Sequence, residues 1–258
     1  MKLEEAHKYV MLDYRGKLTP LVRDSVSKED YEYFCSLFFD ISALLEGDKD
    51  LVDKIRNNPL VNKLTKKGDD YRINTKFGEG VFFSAFDIFG EEETKSFIKP
   101  NNCHGNSLNA ALIIDQVVPE RKPVVYTGIA CLPFSKPFLH SVYCLDFQGI
   151  PIVIDYTYNI AMSEDLFNKM YHFKVLNKTS IDAVNKMSEI DCKYKEYLKL
   201  NKCKGTYYGL GIYFLLSNDG MMQYLIDVMD GKRKDNFHFL TDKDFQKKIS
   251  RIRKRTSK

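Results

Sequence analysis

The chain has 258 residues, of which 44% are hydrophobic and 29% charged, with a formal net charge of +4. It is long enough to bury a large core without a disulfide framework, and its composition excludes a disordered, collagen-like or membrane-embedded protein. No apolar run approaches the length that spans a bilayer. The segment Met1-Lys2-Leu3-Glu4-Glu5-Ala6-His7 carries acids where a signal peptide carries basic and apolar regions, so the expectation is a protein cytoplasmic at synthesis, with later delivery elsewhere left open. Six cysteines, at 35, 103, 131, 144, 192 and 203, form no C-x-x-C pair; free thiols are expected, and no metal site. The charge is uneven. From Gly231 onward there are 11 Lys/Arg against 3 Asp, a net +8, so the first 230 residues carry −4.

In chain order, the first third reads as helical. Ser27 can cap a segment in which Tyr31, Phe34, Cys35, Phe38, Ile41 and Leu45 recur at helical steps, with Gly47 as its stop. A second helix is expected from Lys49 to Asn57, and Lys66-Lys67-Gly68-Asp69-Asp70 reads as a loop. The domain division is therefore a helical subdomain over 1–70, an α+β core over 71–240, and a basic helix or tail over 241–258.

In the core, Val81-Phe82-Phe83 suits a strand, Glu91 to Phe97 a short helix, and Pro100-Asn101-Asn102 a turn leading to Cys103. Leu108, Ala111, Leu112 and Asp115 share one side of a helix running to Val118, which puts Cys103 at or just before its N-terminus. Three strands follow, over Pro123–Ala130, Phe138–Leu145 and Ile150–Tyr156. A four-residue loop, Asp146-Phe147-Gln148-Gly149, would set His140 directly opposite Asp155. A two-residue loop at Gln148-Gly149 would make them diagonal, still on one face. Helices are expected to begin near Ser163, Ser180 and Asn218, while Gly205 to Leu216 fits a helix or a strand. No internal repeat, phosphate loop or complete dinucleotide fingerprint occurs, so no cofactor is expected.

The chemistry concentrates on one constellation. A thiol is a nucleophile as thiolate, a form that a helix N-terminus and a nearby imidazolium both favour. Cys103 stands where it can have both, and Asp155 stands where it can fix the ring of His140. Ser107 lacks the second glycine of a nucleophile elbow, since Asn109 stands there. His104 is a rival base, but adjacent residues are expected to point apart.

Cys103-His104-Gly105-Asn106-Ser107, Tyr126-Thr127-Gly128, His140 and Asp155-Tyr156-Thr157 resemble the Cys, His, Asp order of the papain-like and transglutaminase-like cysteine enzymes. The resemblance covers residues 99 to 160. It implies a papain-like or transglutaminase-like core with an antiparallel sheet, with Cys103 as nucleophile, His140 as general base and Asp155 as orienting residue. It implies action on an amide or thioester carbonyl of a protein, peptide or small amide. The chain departs from the pattern in having no Gln between Glu93 and Asn102, so Asn101 or Asn102 would take the oxyanion role, and Asn106 would position the nucleophile helix or touch substrate. It has no tryptophan, and so lacks the usual aromatic neighbours of that source. The competing function is a non-catalytic binding module holding nucleic acid or an anionic membrane surface through its basic tail. There Phe245, Ile249 and Ile252 mark a narrow apolar stripe that suits docking on the acidic body. Nothing in the sequence bears on oligomeric state.

Overall fold

The computed structural model describes residues 1–6, 8–10, 72–99, 102–132, 135–147, 149–201 and 211–235. The helices expected between Ser27 and Asn57, the Gly205–Leu210 part of the ambiguous segment and the basic tail lie outside these residues. The chain divides into two compact units, one within Ala43–Asn185 and one within Met1–Ser42 and Lys186–Lys258.

The middle unit is built on a seven-stranded antiparallel sheet with helices, an α+β architecture. Its strands are β1 (Arg72–Thr75), β2 (Gly78–Phe83), β3 (Val124–Ala130), β4 (Phe138–Phe147), β5 (Ile150–Asp155), β6 (Ile160–Ser163) and β7 (Lys174–Ser180), in the spatial order β1-β2-β6-β5-β4-β3-β7. Its helices are α1 (Phe86–Phe89), α2 (Glu91–Phe97), α3 (Cys103–Val117) and α4 (Glu164–Tyr171). The long α5 (Ile181–Leu200) follows β7, with Ser180 Oγ accepting from the N–H of Ala183 at 3.2 Å as its cap.

Strand β4 lies between β3 and β5, and its residues from Leu139 to Cys144 are buried on both faces. Alternation sends His140, Val142 and Cys144 to one side and Leu139, Ser141 and Tyr143 to the other. On the first side Val142, Cys144, Tyr126, Val153 and Met162 pack with Leu166, Phe167 and Tyr171 of α4. On the second side Ser141 meets α3, whose Ser107 Oγ donates to the Ser141 carbonyl at 2.7 Å. Helix α3 is buried from His104 to Leu108 and from Ala110 to Ile114, which accounts for its all-round small and apolar composition.

The β4–β5 register settles the choice between the two loops. Phe147 faces Ile150 and Tyr143 faces Ile154, so the connection is the two-residue one, and the direct pairing of His140 with Asp155 is corrected to a diagonal one. Gly149 takes a φ of 84° in that turn, and its N–H donates to Asp146 Oδ1 at 2.7 Å. Residues 138–142 of β4 extend beyond the last of these pairs. His140 thus stands where the two strands part.

The other unit holds helical residues 3–6 and 8–10, α5 from Lys186 onward, α6 (Gly211–Leu216) and α7 (Asn218–Met229). The ambiguous segment is helical over the part described. Within this unit Ser217 Oγ donates to the Met1 carbonyl at 2.5 Å, and the hydroxyls of Tyr194 and Tyr224 both donate to Asp235. Among the described residues no helix is long and apolar enough to cross a membrane.

Gly128 faces His140 across β3 and β4, and the β3–β7 ladder shifts register between Thr127 and Gly128. That irregularity brings the backbone of β7 so close that a Cβ on Gly128 would lie 2.3 Å from the Lys174 carbonyl oxygen. Gly128→Ala is therefore expected to destabilise the protein by about 3 kcal/mol, at the upper end for overpacking. Gly149→Ala, with open space around it, should cost only the left-handed conformation, about 1 kcal/mol. Chemical denaturation of the two variants checks this order.

Candidate active site

Asn102 starts α3. Its side-chain Oδ1 accepts from the N–H of Gly105 at 3.3 Å, and its carbonyl accepts from the N–H of Asn106 at 2.8 Å. Gly105 is required by this cap, because a Cβ there would fall 2.6 Å from Asn102 Nδ2. Asn106 holds the approach to the helix through two bonds to one residue: Oδ1 accepts from Lys99 N–H at 2.9 Å and Nδ2 donates to the Lys99 carbonyl at 2.8 Å. Cys103 is the first helical residue, half-buried. Neither its N–H nor that of His104 finds an acceptor among the described residues. The thiol thus sits where the positive end of the helix dipole coincides with two donors unpaired among the described residues.

Across from it, His140 and Asp155 form a buried pair, each side chain 1% exposed, with Nε2 and Oδ2 2.7 Å apart. The second carboxylate oxygen, Oδ1, accepts from Thr157 N–H at 2.8 Å. Both oxygens of a buried carboxylate are therefore engaged, the condition for burying it in charged form. With Nε2 committed to Asp155, Nδ1 is the ring nitrogen left for the Cys103 thiol, whose charge acts on this ring. Two aromatic rings flank this imidazole, Phe138 at 5.4 Å and Tyr158 at 6.0 Å between centroids. They give this histidine aromatic neighbours in a chain that has no tryptophan. Tyr158 is 42% exposed. Its turn is pinned by Asn159, in the left-handed region at φ 53°, whose Oδ1 accepts from Phe86 N–H and from Ser84 Oγ, both at 3.0 Å.

Burial alone would push the Cys103 thiol up, but the imidazoles of His104 and His140 outweigh it and bring the thiol well below its ordinary range. For His140, burial pushes down, while the Asp155 carboxylate and the Cys103 sulfur raise the ring above its ordinary value. Cys144 shows what the same fold does without such partners. Burial pushes its thiol up to about 11, and the hydrogen bond with Tyr126 offsets only part of that.

Cys103, His140 and Asp155 are thus brought together. Asn102 and Asn106 stand beside them with their side-chain oxygens spent on backbone groups, and Asn101 lies outside the described residues. His104 does not point away: its ring is near enough to the Cys103 thiol to lower it. The ring is buried, and its Nδ1 lies 2.7 Å from Ser141 Oγ, which in turn lies 2.8 Å from Thr127 Oγ1. The sequence carried a signal for this arm, namely hydroxyl residues at 127 and 141 inside otherwise apolar strands. Among the described residues no group of three His, Cys, Asp or Glu side chains is placed to hold a metal ion.

A buried His–Asp pair with a cysteine beside it, against an aromatic core, has the make-up of a catalytic cluster. Comparison of the chain with protein-family models, with curated proteins and with solved structures gives no match, so its chemistry has to be argued from this geometry.

An ordinary thiol with a pKa of about 8.5 loses about tenfold in alkylation rate for each pH unit below that value. Because Cys103 is lowered, its thiolate persists below the pH at which an ordinary thiol is protonated and disappears only below its own, lower midpoint. At mildly acidic pH, iodoacetamide should therefore modify Cys103 well before Cys131 and Cys192 and leave Cys144 untouched. Peptide mass spectrometry of the modified cysteines checks it.

Proposed function

We propose that the protein is a cysteine-dependent hydrolase or acyl transferase of papain-like or transglutaminase-like type, acting on an amide or thioester carbonyl of a protein, peptide or small amide. The observation that carries this reading is the buried His140–Asp155 pair at 2.7 Å, with the Cys103 thiol at the start of α3 lowered by the His140 ring. The chain order, with the cysteine on a helix start and the histidine and aspartate on successive antiparallel strands, supports the same type.

In this mechanism the Cys103 thiolate attacks the carbonyl carbon, a C–S bond forms, and the π pair moves to oxygen. The N–H of Cys103, open at the helix start, receives that oxyanion with the help of the helix dipole. Asn102 keeps the donor open by spending its own oxygen one turn further along, on Gly105. His140 delivers its proton to the departing amine or thiol, and the C–N or C–S bond of the substrate breaks to leave a thioester on Cys103. Water or an acceptor nucleophile then attacks this thioester, His140 takes the proton, and collapse expels the Cys103 thiolate. Asp155 holds the ring in one tautomer and balances its charge at each step. Tyr158, exposed beside His140, borders the space the acyl group enters.

A simple aryl thioester should acetylate the wild-type protein on Cys103, detected by peptide mass spectrometry. His140→Ala should slow this by about 10²–10⁴-fold, the range of general acid–base contributions, and Cys103→Ala should remove the adduct with the fold intact. Acetylation spread over several cysteines, or equally fast in His140→Ala, would overturn the mechanism.

A further inference from the structure

The cysteine has a second imidazole that the mechanism above does not use. His104 follows Cys103 on the first turn of α3, is 2% exposed, and is fixed by a chain of short hydrogen bonds: Nδ1 to Ser141 Oγ at 2.7 Å, and Ser141 Oγ to Thr127 Oγ1 at 2.8 Å. Ser141 is held in turn, because its carbonyl accepts from Ser107 Oγ at 2.7 Å, one helical turn beyond His104. The chain runs from α3 through β4 to β3, so it locks the helix start to the sheet at the point where the thiol emerges. With Nδ1 engaged by Ser141, the nitrogen left for the adjacent Cys103 thiol is Nε2, and the ring acts on that thiol by lowering it.

The two histidines differ in what stands behind them. Behind His140 is a carboxylate, which favours the charged ring and suits it to take up and release a proton. Behind His104 are two hydroxyls, which can orient the ring but bring no charge to it. A ring so held is suited to one task, presenting an N–H to a neighbouring anion.

Building on the cysteine-enzyme reading, we propose that His104 is a second hydrogen-bond donor to the Cys103 thiolate, oriented by Ser141 and Thr127. His140 moves the proton and His104 holds the sulfur. The pairing matters most when the acyl-enzyme collapses. There the sulfur is the leaving group, and a donor that stabilises its anion eases its departure. It also keeps the thiolate anionic when His140 has given its proton away.

The experiment is the pH profile of Cys103 alkylation by iodoacetamide in the full chain, for wild type, His140→Ala, His104→Leu, His104→Gln and Ser141→Ala, with circular dichroism and thermal melting as controls for folding. His104→Leu should raise the Cys103 midpoint by about one to two pH units, the size one hydrogen bond to a charged group supports. His104→Gln, which retains an N–H, should recover part of that shift. Ser141→Ala should raise the midpoint by less than His104→Leu, since the ring remains but loses its hold. A folded His104→Leu protein with the wild-type midpoint overturns the proposal. Should that variant fail to fold, an unchanged midpoint in Ser141→Ala overturns it. A wild-type midpoint in the ordinary thiol range would instead overturn the cysteine-enzyme reading itself. A low wild-type midpoint that is lost in His140→Ala and kept in His104→Leu removes only the role given to His104.

Discussion

The hydrogen bond between His140 and Asp155 is the constraint around which the middle unit is arranged. Two side chains of this kind, 1% exposed and 2.7 Å apart, are tolerable in a core only if each charge meets its partner and every remaining polar atom is satisfied. That requirement reaches well beyond the pair. It fixes the parity of β4 against β5, because a one-residue slip would send one of the two to the opposite face. It explains the tight turn between Phe147 and Ile150, which sets that parity. It also fixes the path of the chain after β5, where Thr157 must turn back to give its N–H to the second carboxylate oxygen.

The same pair is useful only because the sheet opens beside it. The paired stretch of β4 and β5 stops at Tyr143 and Ile154, and His140 lies past that point. Helix α3 lies on the other side of the sheet, where Ser107 and His104 bond to Ser141. A thiol at the end of that helix can reach a ring on the opposite face only where neighbouring strands have parted. Cys144, four residues along the same strand from His140, remains inside the paired part and is packed among Tyr126, Val142 and Val153. Its thiol goes up where that of Cys103 goes down. The contrast lies in the neighbours: two imidazoles act on Cys103, whereas burial dominates at Cys144.

Much of this was legible in the sequence because it rests on local rules. Period-two alternation placed His140 and Asp155 on one face under either loop, and helical spacing after the Pro100-Asn101-Asn102 turn put Cys103 at or just before a helix start. What was not legible rests on tertiary placement. Lys174–Ser180 has only Val175 and Leu176 as apolar residues, adjacent and so on opposite faces; it forms β7 because it pairs with β3 at the sheet edge. Ile160–Ser163 is too short to register as a strand until β2 and β5 flank it. His104 was expected to point away from Cys103, and no rule for adjacent helical residues could show that hydroxyls on β3 and β4 would hold its ring at the thiol. The aromatic neighbours of His140 were missed for a similar reason. One is two residues along its own strand, and the other is carried on a turn anchored by Asn159 to the start of α1.

The central claim is that Cys103 and His140 are charged together, each raising the charged fraction of the other. Coupling of this kind is reciprocal, so it can be read from the histidine side. Nuclear magnetic resonance titration of the His140 ring in wild type and in Cys103→Ala measures it directly. The account predicts that the wild-type ring stays protonated to well above the ordinary histidine value of about 6.5, and that removing the thiol lowers its midpoint while Asp155 still holds it above that value. Identical midpoints in the two proteins would contradict it.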